Sequence, residues 1–291
     1  MMLYATYKNT FKTLFRSVIF YLALALLIGV AIYEAIGGGY GYFDMEAMEL
    51  IMDTDPRFVL TKDNYMQNPN NACCANMMMY AMPLFAVIST VLVLHSNYND
   101  RFYEIEKAGN VKSVTYFMAR ILALITINAV LIAFTSLLTH YWYVFSRGGV
   151  DGMGTMEMLL DSFVRVMRYV VFLAIPSLTF YITFTYAIGS IFKSGWVGAI
   201  AGMGHVIAYF MGNLMLRMQV GEIGRFYFEY LCPIPTKLRS YLYAFDTADV
   251  AAHMERSETS LGKAGACVGV LLGVSVIYGA VSYLCQRKRI Q

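Results

Sequence analysis

The sequence predicts an all-α, polytopic membrane protein with six transmembrane helices, an N-terminal interfacial helix and both termini on the cytoplasmic side. Three observations predict it. Of 291 residues, 58% are hydrophobic and only 14% charged, so a soluble domain would expose far more apolar surface than folded proteins tolerate. Six apolar runs each hold about 20 residues or more, enough at about 1.5 Å per residue to cross a hydrocarbon core of roughly 30 Å. Lys8, Lys12 and Arg16 precede the first run, and Arg287, Lys288 and Arg289 follow the last, with no acid among them. The 22 basic residues, these ends included, divide evenly between the two sides, so the local charge of the ends sets the orientation, in a plasma membrane crossed several times.

The chain opens with an amphipathic segment, 3–16. Tyr7, Phe11, Leu14 and Phe15 recur at helical spacing, while Lys8, Lys12 and Arg16, each four apart, form a basic stripe that suits anionic lipid. The spans are expected at 17–36, 77–95, 121–145, 169–192, 195–216 and 264–285. The first is about twice the length of a signal-peptide core, which favours a retained anchor. Between the first two lies a long acidic stretch with Asp44, Glu46, Glu49, Asp53, Asp55 and Asp63, expected outside the cell. A second external loop is expected at 146–168, where glycine is frequent. Pro83 and Pro176 fall inside runs and predict kinks. Only Lys193 and Ser194 separate the fourth and fifth runs, which must therefore form a tight hairpin.

A charged segment, 97–120, lies between the second and third runs. As a helix, its first half puts Tyr98, Phe102 and Ile105 on one face and Asp100, Arg101, Glu104 and Lys107 on another. Gly109-Asn110 then breaks the helix, and Ser113 can cap the next one, which re-enters the membrane through Tyr116, Phe117 and Arg120. Either a solvated turn or a surface for a partner protein fits this pattern.

Further on, 222–245 crowds Phe226, Tyr227, Phe228 and Tyr230 before Pro233-Ile234-Pro235, and Tyr241, Tyr243 and Phe245 after it. Two short aromatic helices hinged on the prolines are expected, either re-entering the membrane or resting on its surface. Small residues at spacing four, Gly198 with Gly202 and Gly265 with Gly269 and Gly273, mark the fifth and sixth runs as helix-packing elements, as does the series Gly204, Ala208, Gly212. Asn128 and His205 sit well inside runs, where a polar group faces protein or water. A hydrogen-bonded packing role and a place on a substrate path are the two options for each.

Several classes drop out. A net charge of +3 without a basic cluster between the termini gives no reason to expect nucleic acid. Five cysteines without a CxxC spacing describe neither a disulfide framework nor a zinc site, so no metal is expected, although Cys73, Cys74 and Cys232 leave room for one bridge. HExxH and GxSxG are absent, and no catalytic residue stands out, so the chain is not expected to be an enzyme. The stretch Gly189–Ser194 superficially suggests a phosphate loop or an SxxK pair, but it follows an apolar helix and lacks the glycine before the lysine.

Together, the basic amphipathic start, six spans, the charged helix with its glycine break and the aromatic-proline hairpin resemble the permease subunit of the type-2 ABC exporter class. Nearly the whole chain carries the resemblance as architecture; in sequence it rests on Arg101–Arg120, where Glu104, Gly109 and Arg120 match the family's pattern. The resemblance implies a separate ATPase, supplying ATP and Mg chemistry this chain lacks, that docks on Arg101, Glu104, Glu106, Lys107 and Gly109. It also implies a second permease chain, the same or different, and export along their shared interface. A non-transporting scaffold or immunity-type protein and an intramembrane enzyme are the alternatives.

Overall fold

The computed structural model describes residues 2–35, 60–61, 81–99, 113–146, 148–215, 222–245 and 250–290. Its helices are α1 (Met2–Phe15), α2 (Val18–Ala35), α3 (Met82–Asn99), α4 (Ser113–Ser146), α5 (Thr155–Tyr169), α6 (Ile175–Phe192), α7 (Gly195–Met215), α8 (Glu222–Phe226), α9 (Thr236–Ala244), α10 (Val250–Arg256) and α11 (Leu261–Ile290). The described residues are all-α except for a parallel two-residue bridge, in which Leu60 faces Val150 and Thr61 faces Asp151. That bridge brings the stretch before α3 and the stretch after α4 to one end of the bundle, as an intervening pair of antiparallel helices requires.

Among the described residues, three helices are long and apolar enough to cross a bilayer: Val114–Trp142, Thr155–Phe192 and Leu261–Arg287. A fourth is the pair α1 and α2, if two segments bent by 75° at the Arg16-Ser17 break count as one span. Met82–Ser96 is apolar but shorter. Burial agrees with a lipid environment. On α2 the buried positions are Phe20, Ala23, Leu27 and Ala31, yet the opposite side exposes Ile19, Leu22, Leu26 and Ile32. On α11 small and polar Ala264, Cys267, Ser275 and Gln286 turn inwards while Leu272, Val276, Ile277 and Leu284 turn outwards. Such apolar exteriors around partly polar interiors are stable only where the solvent is hydrocarbon.

The region 146–168, expected as a loop, departs most from its sequence pattern. From Thr155 it is helix, continuous with the next apolar run through 38 residues to Phe192. The join is a π turn, Val170–Ala174, closed by the Ile175 N–H bonding to the Val170 carbonyl five residues back. Pro176 explains this wide turn: its ring would collide with the carbonyl four residues before it, and it offers no N–H to the helical ladder. Expansion of the preceding turn lets the helix pass the proline with less distortion than a sharp kink. A helix this long extends about 57 Å, well beyond the hydrocarbon core, so part of α5 projects past it or the whole tilts.

α6 is the centre of the bundle. Twelve of its 18 residues are buried, from Pro176 to Ser190, against α3, α4, α7 and α11. The turn into α7 uses Lys193 in the left-handed conformation (φ 57°, ψ 32°), with the Ser194 N–H bonded to the Gly189 carbonyl at 3.0 Å. α7 then folds back so closely that a Cβ at Gly198 would meet the Thr185 carbonyl oxygen at 2.9 Å.

α1 rests on α4 by an unexpected face. Its buried residues are Thr6, Thr10 and Leu14, and the Thr10 hydroxyl donates to the Thr6 carbonyl at 3.0 Å. Tyr7 and Phe11 are half-buried and Phe15 exposed, although their rings follow one another along the helix at 4.9 and 6.4 Å between centroids. Of the expected apolar stripe only Leu14 belongs fully to the protein interior.

Candidate functional site

Polar side chains inside the bundle are the natural place to look for function in a chain of this composition, because each must find a partner away from water. Three groups stand out. In the first, Asn128 of α4 donates to the Ser89 hydroxyl of α3 at 2.9 Å and to its own Leu124 carbonyl at 2.8 Å, with both side chains buried. Its oxygen, Oδ1, is buried without a hydrogen bond. Near the other end of the chain, Gln286 of α11 donates to the Ser190 hydroxyl of α6 at 3.2 Å. Ser190 is thus a helix-packing residue, while Lys193 of the same SxxK spacing stands exposed in the turn.

A second group was not legible beforehand. Arg165 of α5 is 4% exposed and pairs with Asp161 one turn earlier. Ser162 and His140 are buried beside this pair, and both charges act on the His140 ring. The outer face of α5 shows Met156, Leu160, Phe163 and Val164. A helix with arginine inside and leucine and phenylalanine outside is turned round relative to a soluble protein, where the pattern would be reversed. The signal existed as the i, i+4 spacing of Asp161 and Arg165 and the matching period of Met158, Ser162, Val166 and Tyr169; the nearby glycines at 148, 149, 152 and 154 concealed it.

The third group joins α6, α7 and the segment between α7 and α11. His205 lies among the rings of Phe180, Tyr181 and Phe184 at 5.3 to 5.7 Å between centroids, and its Nε2 is 3.4 Å from the Tyr227 hydroxyl. Tyr227 begins a second π turn, Tyr227–Leu231, that follows α8 and ends where the Cys232 N–H bonds to the Tyr227 carbonyl at 2.8 Å. The chain then turns through Cys232, Pro233, Ile234 and Pro235, all buried, into α9. Because the turn has left the helical ladder, its carbonyls need other donors: the Ser177 hydroxyl serves Pro233 and the Tyr209 hydroxyl serves Ile234 at 3.3 Å. Two short helices hinged on prolines are therefore present, with their apex held against α6 and α7. At their base, Lys237 donates to the Ser257 carbonyl at 3.1 Å and lies 4.0 Å from Glu229, and Thr259 donates to the Lys237 carbonyl at 2.8 Å.

The residues expected to contact an ATPase, Arg101, Glu104, Glu106, Lys107 and Gly109, lie outside the described residues, as do Cys73 and Cys74. Arg120 lies within them: it is buried, with its guanidinium 4.1 Å from the Tyr116 ring centroid, a cation–π contact that anchors the start of α4. The five glycines expected to pack helices divide into two sets. Around Gly202 a Cβ would meet Thr185 Oγ1 at 2.7 Å and Val87 at 2.8 Å, and at Gly198 it would meet the Thr185 carbonyl oxygen at 2.9 Å, so both serve contacts within the chain. Gly265, Gly269 and Gly273 have open space where a Cβ would stand. Cys232 and Cys267 are free thiols facing inwards, and the described residues contain no cluster of three or more metal-ligating side chains.

The fold and these groups define an all-α protein with apolar helices long enough to cross a membrane. No protein-family model, no curated protein and no solved structure matches the chain.

Proposed function

We propose that this chain is the membrane-spanning permease subunit of an ATP-driven exporter of the type-2 ABC class, with six spans, an interfacial α1 and both termini in the cytoplasm. The observation that carries the reading is the proline-hinged pair α8 and α9, placed between the last two long helices and packed against α6, α7 and α11. Isolated loops have no need of buried prolines, hydroxyl donors aimed at their carbonyls and a double aromatic flank. A hairpin that re-enters the membrane from outside does, because each backbone group there must be satisfied within protein. The 75° elbow between α1 and α2 supports the same reading, since α1 lies along the surface when α2 stands across it.

In this reading α2, α3, α4, α5 with α6, α7 and α11 provide the six spans, and the segment 97–120 meets a separate ATPase that holds ATP and Mg. The partner ATPase is a polypeptide with a full GxxxxGK[ST] loop, and a second permease chain completes the path. The test is co-expression with an ATPase encoded beside it. Joint purification and ATP hydrolysis stimulated by the permease are expected. Reversing Glu104 and Glu106 to Lys should leave membrane levels normal while reducing both, because like-charge contacts at a protein boundary cost up to several kcal/mol. Reversing Glu46 and Glu49 should change neither. A Glu104/Glu106 variant that binds and stimulates the ATPase like the parent would overturn the coupling assignment and favour a scaffold role.

A further inference from the structure

The elbow between α1 and α2 borders a cleft of about 410 Å³ against the end of α3. That volume falls in the range of about 300–1,000 Å³ in which proteins hold small ligands. Its walls differ from the rest of this apolar chain. Lys12 and Arg16 contribute two cations, Asn9, Ser17, His95 and Ser96 contribute polar groups, and no carboxylate lines it among the described residues. A second cavity, between α2 and α3, is apolar throughout.

The helix termini at the elbow favour an anion as well. α1 ends here, and carbonyls at its end would ordinarily present partial negative charge. Three of them have donors: Lys12 accepts from the Arg16 N–H at 3.1 Å, Leu14 from the Ser17 N–H at 3.0 Å, and Phe15 from the Tyr21 hydroxyl at 2.9 Å. Ser17 immediately precedes the first turn of α2, so the positive end of the α2 dipole lies at the cleft's edge. Depth gives the remaining constraint. α2 exposes Val18, Ile19, Tyr21 and Leu22 within its first turns, which places hydrocarbon directly beside the elbow and the headgroup layer level with α1.

We propose that this cleft binds the phosphate of an anionic phospholipid headgroup, held by Lys12 and Arg16, with the acyl chains passing along the exposed side of α2. The site depends on α2 crossing the bilayer and is independent of whether the chain transports or couples to an ATPase. A bound headgroup would tie α1, α2 and α3 together at the elbow.

The test uses the full chain in a neutral detergent, where no charged membrane surface contributes to attraction. Binding is read by native mass spectrometry during titration with phosphatidylglycerol, phosphatidylcholine or soluble glycerol phosphate. Phosphatidylglycerol should occupy one preferred site on the parent, phosphatidylcholine should not, and glycerol phosphate should bind far more weakly because it lacks the chains. Lys12→Gln/Arg16→Gln should weaken phosphatidylglycerol by about tenfold or more. Asn9→Trp, which fills the cleft without changing charge, should weaken it similarly, and Lys8→Gln, outside the cleft on the same basic stripe, should not. Equal occupancy in the parent and Asn9→Trp would overturn the site, and equal losses from Lys8→Gln would reduce it to general electrostatic attraction. Tight binding of glycerol phosphate would assign the cleft to a free phosphate ester and overturn the lipid assignment.

Discussion

Gly202 and Thr185 approach so closely that any side chain on the glycine would overlap the threonine hydroxyl, at 2.7 Å from an added Cβ, while Val87 of α3 closes the other side at 2.8 Å. Three helices thus meet at one hydrogen atom. Gly202→Leu should lower stability by about 1–3 kcal/mol or more through overpacking, read as a fall in melting temperature in detergent. Gly269→Leu points into open space and should change the stability of the single chain by less than about 0.5 kcal/mol. If α11 meets a second permease through that face, Gly269→Leu should shift the chain from dimer to monomer by mass while its melting temperature holds.

Asn128 and Ser89 link α4 to α3 through one hydrogen bond in the interior. A double-mutant cycle with Asn128→Ala and Ser89→Ala should give a coupling of about 0.6 kcal/mol, with about 1.7 as the upper bound, because the separated helices also find partners in the membrane. A coupling of zero would show that the bond contributes nothing to helix association.

Arg165 is buried while Asp161 keeps its side chain 33% exposed. Asp161→Asn leaves the arginine charge under-compensated and should cost about 1–3 kcal/mol, below the 3–5 typical of a fully buried pair because water reaches the carboxylate side. Arg165→Met removes the charge at similar volume and should be close to neutral for folding. An export assay that fails in a stable Arg165→Met protein would place the pair on the substrate path.

Burial pushes the Cys232 thiol up to about 12. The thiolate is the reactive form, so at pH 8 very few molecules carry it. Maleimide should label Cys232 in the folded protein slowly, with a rate rising about tenfold per pH unit between 8 and 10, and label it fully once the chain is unfolded in dodecyl sulfate. Fast labelling of the native protein at pH 8 would show that the hairpin apex is open.

Topology can be read from neighbouring positions in the strand bridge. Val150 is 4% exposed and its N–H points at the Met158 sulfur, whereas Asp151 is exposed. In a chain without native cysteines, Asp151→Cys should react with an impermeant thiol reagent from outside intact cells and Val150→Cys should not. Lys193→Cys, in the exposed turn between α6 and α7, should react only after permeabilisation. Reversal of the Asp151 and Lys193 results would invert the proposed orientation.

Those properties that depend on neighbours along the chain were legible from residue order. Apolar runs long enough for a bilayer, the two-residue turn at Lys193 and Ser194, and a hinge at Pro233 and Pro235 each follow from local hydropathy or from a ring that removes a donor. Only the tertiary structure decided what lies across each helix face. Gly202 and Gly269 share the same small-residue spacing, yet one is pressed against Thr185 and the other faces open space, because spacing defines a face and not its neighbour. The side of α1 that meets the protein is the threonine side for the same reason: an aromatic stripe is equally satisfied by lipid, so hydrophobicity cannot choose between lipid and protein when both are apolar. Arg165 shows the limit from the other direction. The glycines before it marked the segment as an external loop, and only the packing of α5 on α4 supplied the buried polar surroundings that let the Asp161–Arg165 pair turn inwards.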